Sequence, residues 1–171
     1  MCFAVDAAMT LANLSIDKAK KLSDRRYLTD FVKLQKELFF AQCFALRNYG
    51  YPLFHENITA HYCGPCVDGL QSLVRWCGIS QIEKPFPREM IAELSPMRRD
   101  ALSWVVDTLG SYSMSELISA AKKTSAYQSV ASQITDTYKP VISTEGMTNC
   151  LDKLLLEWGP FYDRVMSPRY A

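Results

Sequence analysis

The residues best suited to chemistry in this chain form the tetrapeptide Cys-Gly-Pro-Cys at positions 63–66. Two cysteines at this spacing can exchange a disulfide when the first thiol lies at a helix N-terminus, because the helix dipole lowers its pKa. The same spacing supplies one edge of a zinc tetrahedron. A third interpretation is a Gly-Pro turn flanked by two small apolar thiols.

The residues around positions 63–66 favour the turn. Disulfide oxidoreductases place this motif after a buried strand of a βαβ unit, but the long preceding segment is predicted to be helical. A zinc site requires a second ligand pair, which His61 and Cys77 do not form at their spacing. The histidines are His55 and His61, so His61 is the candidate base for a cysteine nucleophile. We expect no catalytic residue, no metal site and no cofactor.

The composition predicts one folded domain over residues 1–171, with 49% apolar and 22% charged residues. Nineteen Lys and Arg against eighteen Asp and Glu give a net charge of +1, which argues against a nucleic-acid partner. Residues 1–14 lack the basic start of a secretory signal, and no apolar stretch is long enough for a transmembrane helix. We therefore expect a cytoplasmic protein without membrane contact, whose thiols stay reduced.

Apolar residues at helical spacing predict most of the elements. The strongest pattern covers residues 28–49, where the middle is apolar on every side, as is typical of a central core helix. Within it Lys33 and Glu37 stand four residues apart and are predicted to pair. Further helices are predicted over residues 3–21, 96–109, 114–121, 126–134 and 147–158.

One small β element is predicted over residues 52–62, as two short strands or extended arms. Pro65 fits the first position of a helix that continues to Cys77. The expected fold class is mainly α. It is a compact helical domain with a long central core helix (28–49) and a small two-stranded β element (52–62), on which the N- and C-terminal helices pack.

Three segments match, in order and spacing, the motifs of one known family. Residues 32–42 read VKLQKELFFAQ and are similar to a KLQKLLYFAQ helix. Residues 51–54 (YPLF) and 58–65 (ITAHYCGP) are similar to a PLF…IAWxYGPV signature, and residues 112–117 (YSMSEL) are similar to a YGxxSAxEL helix start. Together they resemble the Panacea family, the SocA-like antitoxin domain, over about residues 28–130.

The chain also departs from the pattern of this family. Glu37 replaces an apolar residue, and Cys63 and Cys66 flank the Gly-Pro pair where the family commonly has other residues. After Leu117 the family often has a THxExPW motif, whose His and Trp this sequence lacks. Functions that rest on those two residues therefore do not carry over. A thiol-dependent enzyme, either an oxidoreductase or a Cys–His nucleophile that uses Cys63 and Cys66, stays the alternative.

The resemblance implies a protein-binding module rather than a catalyst. Such an antitoxin binds a cognate toxin or another target protein and blocks it by direct contact. Related roles are an adaptor to a cellular protease or its unfoldase, and a phage-encoded inhibitor of a host system. The candidate partner-binding residues are Tyr51, Phe54, His61, Tyr62, Gly64 and Pro65. The competing interpretation is that these residues only pack the β element on the core helix.

Overall fold

The chain folds into seven α-helices and one β-hairpin within residues 2–157, the part that the computed structural model describes, with backbone alone for 152–157. The helices are α1 (Ala4–Leu22), α2 (Phe31–Tyr49), α3 (Gln71–Cys77), α4 (Pro96–Leu109), α5 (Met114–Lys123), α6 (Ser125–Ala131) and α7 (Thr144–Glu157). Strands β1 (Ile58–His61) and β2 (Gly64–Val67) pair antiparallel. The predicted mainly α fold class with a small two-stranded sheet is confirmed.

Helix α2 is the centre of the fold. Its residues 33–46 are all buried, and it packs against α4, α5, α7 and β2. The helix begins at Phe31, three residues later than predicted, because the Asp30 side chain accepts the backbone N–H groups of Val32 and Lys33. It ends where Gly50 adopts a left-handed conformation (φ 70°), which glycine tolerates best.

Most of the other helices begin and end close to their predicted limits. The capping box of α5 is present, since Ser113 and Glu116 each accept the other's backbone N–H. Helix α4 starts at Pro96 as predicted, although the Ser95 side chain makes no capping hydrogen bond. The last predicted helix corresponds to α7, and its final residue, Trp158, lies outside the described residues.

The β element differs from its prediction. It covers residues 58–67 rather than 52–62, and Pro65 pairs with Ala60 in a strand instead of starting a helix. The local preference of proline for a helix start was outweighed by pairing with β1 and by contacts with α2. Helix α3 consequently begins only at Gln71.

Two helices at the ends of the described chain complete the core. Helix α1 packs mainly on α4, and α7 packs on α2 and α6. The Cys150 thiol on α7 lies 3.3 Å from the Cys43 thiol on α2, and both are fully buried. None of the described helices combines the length and apolar character that crossing a bilayer requires.

A buried ion pair links α2 to two loops and confirms the predicted Lys33–Glu37 pairing. Glu37 Oε1 lies 3.9 Å from Lys33 Nζ, and the Thr29 hydroxyl donates to Glu37 Oε2 at 2.7 Å. Burial raises the pKa of Glu37 to about 7, against the opposing effects of Lys33 and Thr29. Lys33 Nζ also donates to three backbone carbonyls, those of Arg26 (2.8 Å), Leu28 (3.3 Å) and Gly110 (2.6 Å).

We predict that Glu37→Gln changes how stability depends on pH. The folded-state pKa of about 7 exceeds the ordinary value of 4.5, so stability from the protonated carboxyl is complete below about pH 4.5 and is lost as pH rises through 7. Relative to Glu37→Gln, the wild type should therefore lose on the order of 3 kcal/mol of unfolding free energy over this range. Urea unfolding at several pH values measures this difference.

The exposed carboxylate of Glu93 provides the control for this prediction. Glu93→Gln should give an unfolding free energy that runs parallel to the wild type across the same pH range. If Glu37→Gln also ran parallel to the wild type, the buried carboxyl would not be the source of the pH dependence.

Candidate functional site

The hairpin is held on α2 by two buried polar side chains. Lys36 is fully buried, and its Nζ donates to the Pro65 carbonyl at 2.8 Å. Gln35 Oε1 accepts the backbone N–H of Val67 at 2.5 Å. Buried polar groups must find hydrogen-bond partners, so these two contacts determine where β2 lies on the helix.

The turn of the hairpin is held from the other side by α5 and α6. The Tyr127 hydroxyl on α6 donates to the His61 carbonyl at 2.7 Å. Lys122 Nζ on α5 donates to the Tyr62 carbonyl at 3.1 Å. The backbone of the turn is thus bonded to two helices, while the Tyr62 side chain stays exposed.

The two thiols lie in and beside this turn, and their surroundings differ from those of a disulfide oxidoreductase. Cys63 is exposed in the turn and Cys66 is half-buried in β2, so neither sits at a helix N-terminus. Burial raises the pKa of Cys66 to about 11, although Lys36 Nζ, 3.8 Å from its sulfur, acts in the opposite direction. This environment stabilises the thiol rather than the nucleophilic thiolate.

His61 does not form the base of a Cys–His pair in this arrangement. Its Nε2 lies 3.0 Å from the Thr59 hydroxyl. Burial lowers the pKa of His61, and the nearby Lys139 and Lys36 lower it further. Cys77 bonds instead to the Leu73 carbonyl at 2.9 Å. Among the side chains that the structure describes, those of residues 2–151, no three or more His, Cys, Asp or Glu converge as metal ligands.

The structure separates the six sequence-predicted contact residues into three groups. Three of them, Phe54, Gly64 and Pro65, are buried in this fold. His61 and Tyr62 adjoin each other at the turn, and the Tyr62 side chain is 59% exposed.

Tyr51, the sixth residue, is 67% exposed but lies near the other end of α2. It lines a groove of about 430 Å³ with Tyr49, His55 and Arg98. Tyr49 lies thirteen positions after Lys36, which bonds the hairpin, and that is about 20 Å along α2. Tyr51 and Tyr62 therefore belong to different surfaces.

The surface around Tyr62 also includes the loop between α6 and α7. The sequence did not indicate this loop as a contact segment. Lys139 Nζ lies 5.0 Å from the centre of the Tyr62 ring, and the Tyr62 hydroxyl donates to the Ile134 carbonyl at 3.4 Å. Val141 forms an isolated antiparallel bridge with Thr59. No motif in the sequence marks this loop, which spans residues 132–143, and its exposed large apolar residues are Tyr138 and Val141.

We name this region the hairpin surface and define it by five exposed or partly exposed side chains. Tyr138 and Val141 are 54% and 49% exposed, comparable to Tyr62. Two cations, Lys122 and Lys139, flank the Tyr62 side chain and its carbonyl. The hairpin surface consists of Tyr62, Lys122, Tyr138, Lys139 and Val141.

We predict that Tyr127→Phe loosens the turn without disrupting the core. The substitution removes the hydroxyl that donates to the His61 carbonyl, which should cost about 1 kcal/mol of unfolding free energy. Amide hydrogen exchange should become faster at residues 61–64. Tyr138→Phe, at an exposed side chain, serves as the control and should leave both measurements unchanged. Equal exchange in the two variants would contradict the role given to Tyr127.

A comparison with protein families gives one match. The family model described as the antitoxin SocA-like, Panacea domain matches residues 34–128. The matched segment runs from α2 into α6 and includes the whole hairpin, whereas α1 and α7 lie outside it. No curated protein and no solved structure matches the chain. Because the family model covers 95 of the 171 residues, the resemblance read from the motifs is confirmed: this chain belongs to the SocA-like antitoxin family with a Panacea domain.

Proposed function

We propose that this protein neutralises a protein toxin by binding it directly through the hairpin surface. The observation that carries the proposal is the match of the antitoxin family model to residues 34–128. The hairpin and Lys122 lie inside that matched segment, next to the loop that supplies Tyr138, Lys139 and Val141. On this proposal, the partner is a toxin made in the same cell. The two proteins meet in the cytoplasm.

The side chains of the hairpin surface are suited to protein recognition. Tyrosine offers a large apolar ring with a polar tip and loses little conformational entropy on binding, so it is common at the centre of interfaces. Tyr62 and Tyr138 supply two such rings, and Val141 adds apolar area. Lys122 and Lys139 add positive charge, so the complementary face of the toxin carries acidic side chains.

The geometry favours this proposal over a thiol-dependent enzyme. Cys63 and Cys66 lack a helix N-terminus, and the pKa of Cys66 is raised rather than lowered. His61 contacts Thr59 instead of a thiol. Delivery of a toxin to a protease, or inhibition of a host protein by a phage product, would begin with the same contact at the hairpin surface.

We also propose that residues 1–171 act as one domain. Helices α1 and α7 lie outside the family match, yet both pack against helices inside it. The buried Cys43–Cys150 contact joins α2 to α7 in one core. Both flanking helices are accordingly part of the unit that binds the toxin.

We predict that Tyr62→Ala weakens toxin binding by about fivefold or more, because truncating an aromatic anchor at the centre of an interface costs about 1 kcal/mol or more. The candidate toxin is the product of the adjoining gene, co-expressed with this protein. Growth rescue and copurification report neutralisation, and titration of the purified pair measures affinity. An adjoining product that is not toxic, or that does not copurify, would overturn the proposed function.

Tyr51→Ala is the matched control, because Tyr51 is an exposed tyrosine near the opposite end of α2. It should leave affinity close to that of the wild type. If Tyr51→Ala abolished binding and Tyr62→Ala did not, the groove beside Tyr49 would be the contact surface instead.

We further predict that Lys139→Glu slows association with the toxin and reduces its dependence on salt. The substitution reverses a charge beside the Tyr62 ring, and charges at an interface act mainly on the association rate. Stopped-flow measurements at low and high salt test this. Lys20→Glu, at an exposed residue on α1, changes net charge equally and should have a much smaller effect. Equal slowing by both variants would argue against an acidic face opposite Lys139.

A further inference from the structure

The two hairpin thiols form a cluster that direct toxin binding does not require. We propose that Cys63 and Cys66 are a redox modification site, at which a low-molecular-weight disulfide such as glutathione disulfide oxidises the pair to an intramolecular disulfide.

The backbone brings the two side chains together. Cys63 lies in the turn and Cys66 lies three residues later in β2. Gly64 between them has φ +99°, a left-handed conformation that bends the chain where a larger residue would be strained. The Cys66 thiol turns back toward the turn, with its sulfur 3.8 Å from the carbonyl of Gly64, the residue next to Cys63. The side chains of Cys63 and Cys66 interact there.

Because Cys63 and Cys66 differ in solvent exposure, they act at different steps of the oxidation. Cys63 is exposed, so an oxidant in solution can reach it. Cys66 is half-buried beside the buried ammonium of Lys36, 3.8 Å from its sulfur. Burial raises the pKa of Cys66, and the Lys36 charge only partly offsets this, so Cys66 stays protonated until Cys63 has reacted. Cys63 is therefore the attacking thiol, and Cys66 is the resolving thiol.

The exchange balances with one glutathione disulfide. The Cys63 thiolate attacks one sulfur of the oxidant, whose S–S bond breaks, and a mixed disulfide forms as one glutathione thiolate leaves. The Cys66 thiol gives its proton to that thiolate and attacks the Cys63 sulfur. The second glutathione leaves as a thiolate and takes up from solvent the proton that Cys63 had released. The protein dithiol loses two electrons, and one glutathione disulfide becomes two molecules of glutathione.

The other pair of neighbouring thiols provides an internal comparison. Cys43 and Cys150 are 3.3 Å apart, but both are fully buried between α2 and α7. An oxidant of the size of glutathione disulfide cannot reach them while the chain is folded. Glutathione disulfide should therefore oxidise the accessible Cys63–Cys66 pair and leave the buried Cys43–Cys150 pair reduced.

The test uses the reduced, full-length protein in a Cys77→Ser background, which removes the partly exposed thiol of α3. After treatment with glutathione disulfide, mass spectrometry of the alkylated protein should show two fewer free thiols and no bound glutathione. Cys66→Ser should stop at one bound glutathione on Cys63. Cys63→Ser should keep its thiols over the same time.

The rate of the second step gives a further readout. Because Cys66 must lose its proton and burial raises its pKa to about 11, release of the second glutathione should accelerate about tenfold per pH unit from neutral pH upward. A wild type that keeps glutathione on Cys63, or that stays fully reduced while Cys66→Ser is modified, would overturn the proposed disulfide.

Cys63 directly follows Tyr62, so the disulfide would constrain the hairpin surface and weaken toxin binding. This consequence rests on the proposed function, whereas the thiol measurements require no toxin, so the two can fail separately. Oxidised and reduced wild type are compared in the binding titration, with the Cys63→Ser/Cys66→Ser double variant as a redox-inert control. Equal affinity of the two wild-type forms would overturn the regulatory consequence alone.

Discussion

The whole structure depends on a helix that is buried on every side yet carries polar side chains. Residues 33–46 of α2 have no exposed face, so each polar group on them must find a partner within the protein. Most of the partners are backbone groups of segments outside the helix, and α2 thereby determines where those segments lie. Lys33 holds the carbonyls of residues 26, 28 and 110, Gln35 and Lys36 hold β2, Glu37 accepts from Thr29, and Gln42 bonds the backbone of residues 53 and 54.

This arrangement explains why the hairpin can present a surface although it has only two short strands. An isolated two-stranded hairpin is marginally stable in water. Here β2 is bonded to α2, and the turn is bonded to α5 and α6 through Lys122 and Tyr127. These hydrogen bonds fix the backbone of the hairpin, while the Tyr62 and Cys63 side chains point away from the core. A rigid base with exposed side chains suits recognition, because little entropy is lost on binding.

The segment that the family model matches does not form the whole hydrophobic core by itself. Trp104 of α4 stacks on Phe44 of α2 with ring centroids 4.4 Å apart, and α1 packs on α4 from outside the match. On the other side of α2, Cys150 of α7 fills space against Cys43. The flanking helices therefore belong to the same hydrophobic core as the antitoxin family segment.

The features that could be predicted from the sequence are those that depend on local interactions. Helical periodicity located the central helix, Ser113 and Glu116 marked the start of α5, and the spacing of Lys33 and Glu37 gave their pairing. Each of these signals comes from residues that are at most four positions apart in the sequence. The order of three motifs also identified the family, because matched segments are a property of sequence alone.

The position of the hairpin and the set of side chains that meet around it depend on long-range packing and could not be predicted from the sequence. Pro65 had a local preference for a helix start but became part of β2, because Ala60 and Lys36 offered pairing and a hydrogen bond. Lys139 reaches Tyr62 from 77 positions away in the sequence, and Cys150 reaches Cys43 across 107. Such contacts follow from how helices pack around α2, and no pattern along the chain encodes them.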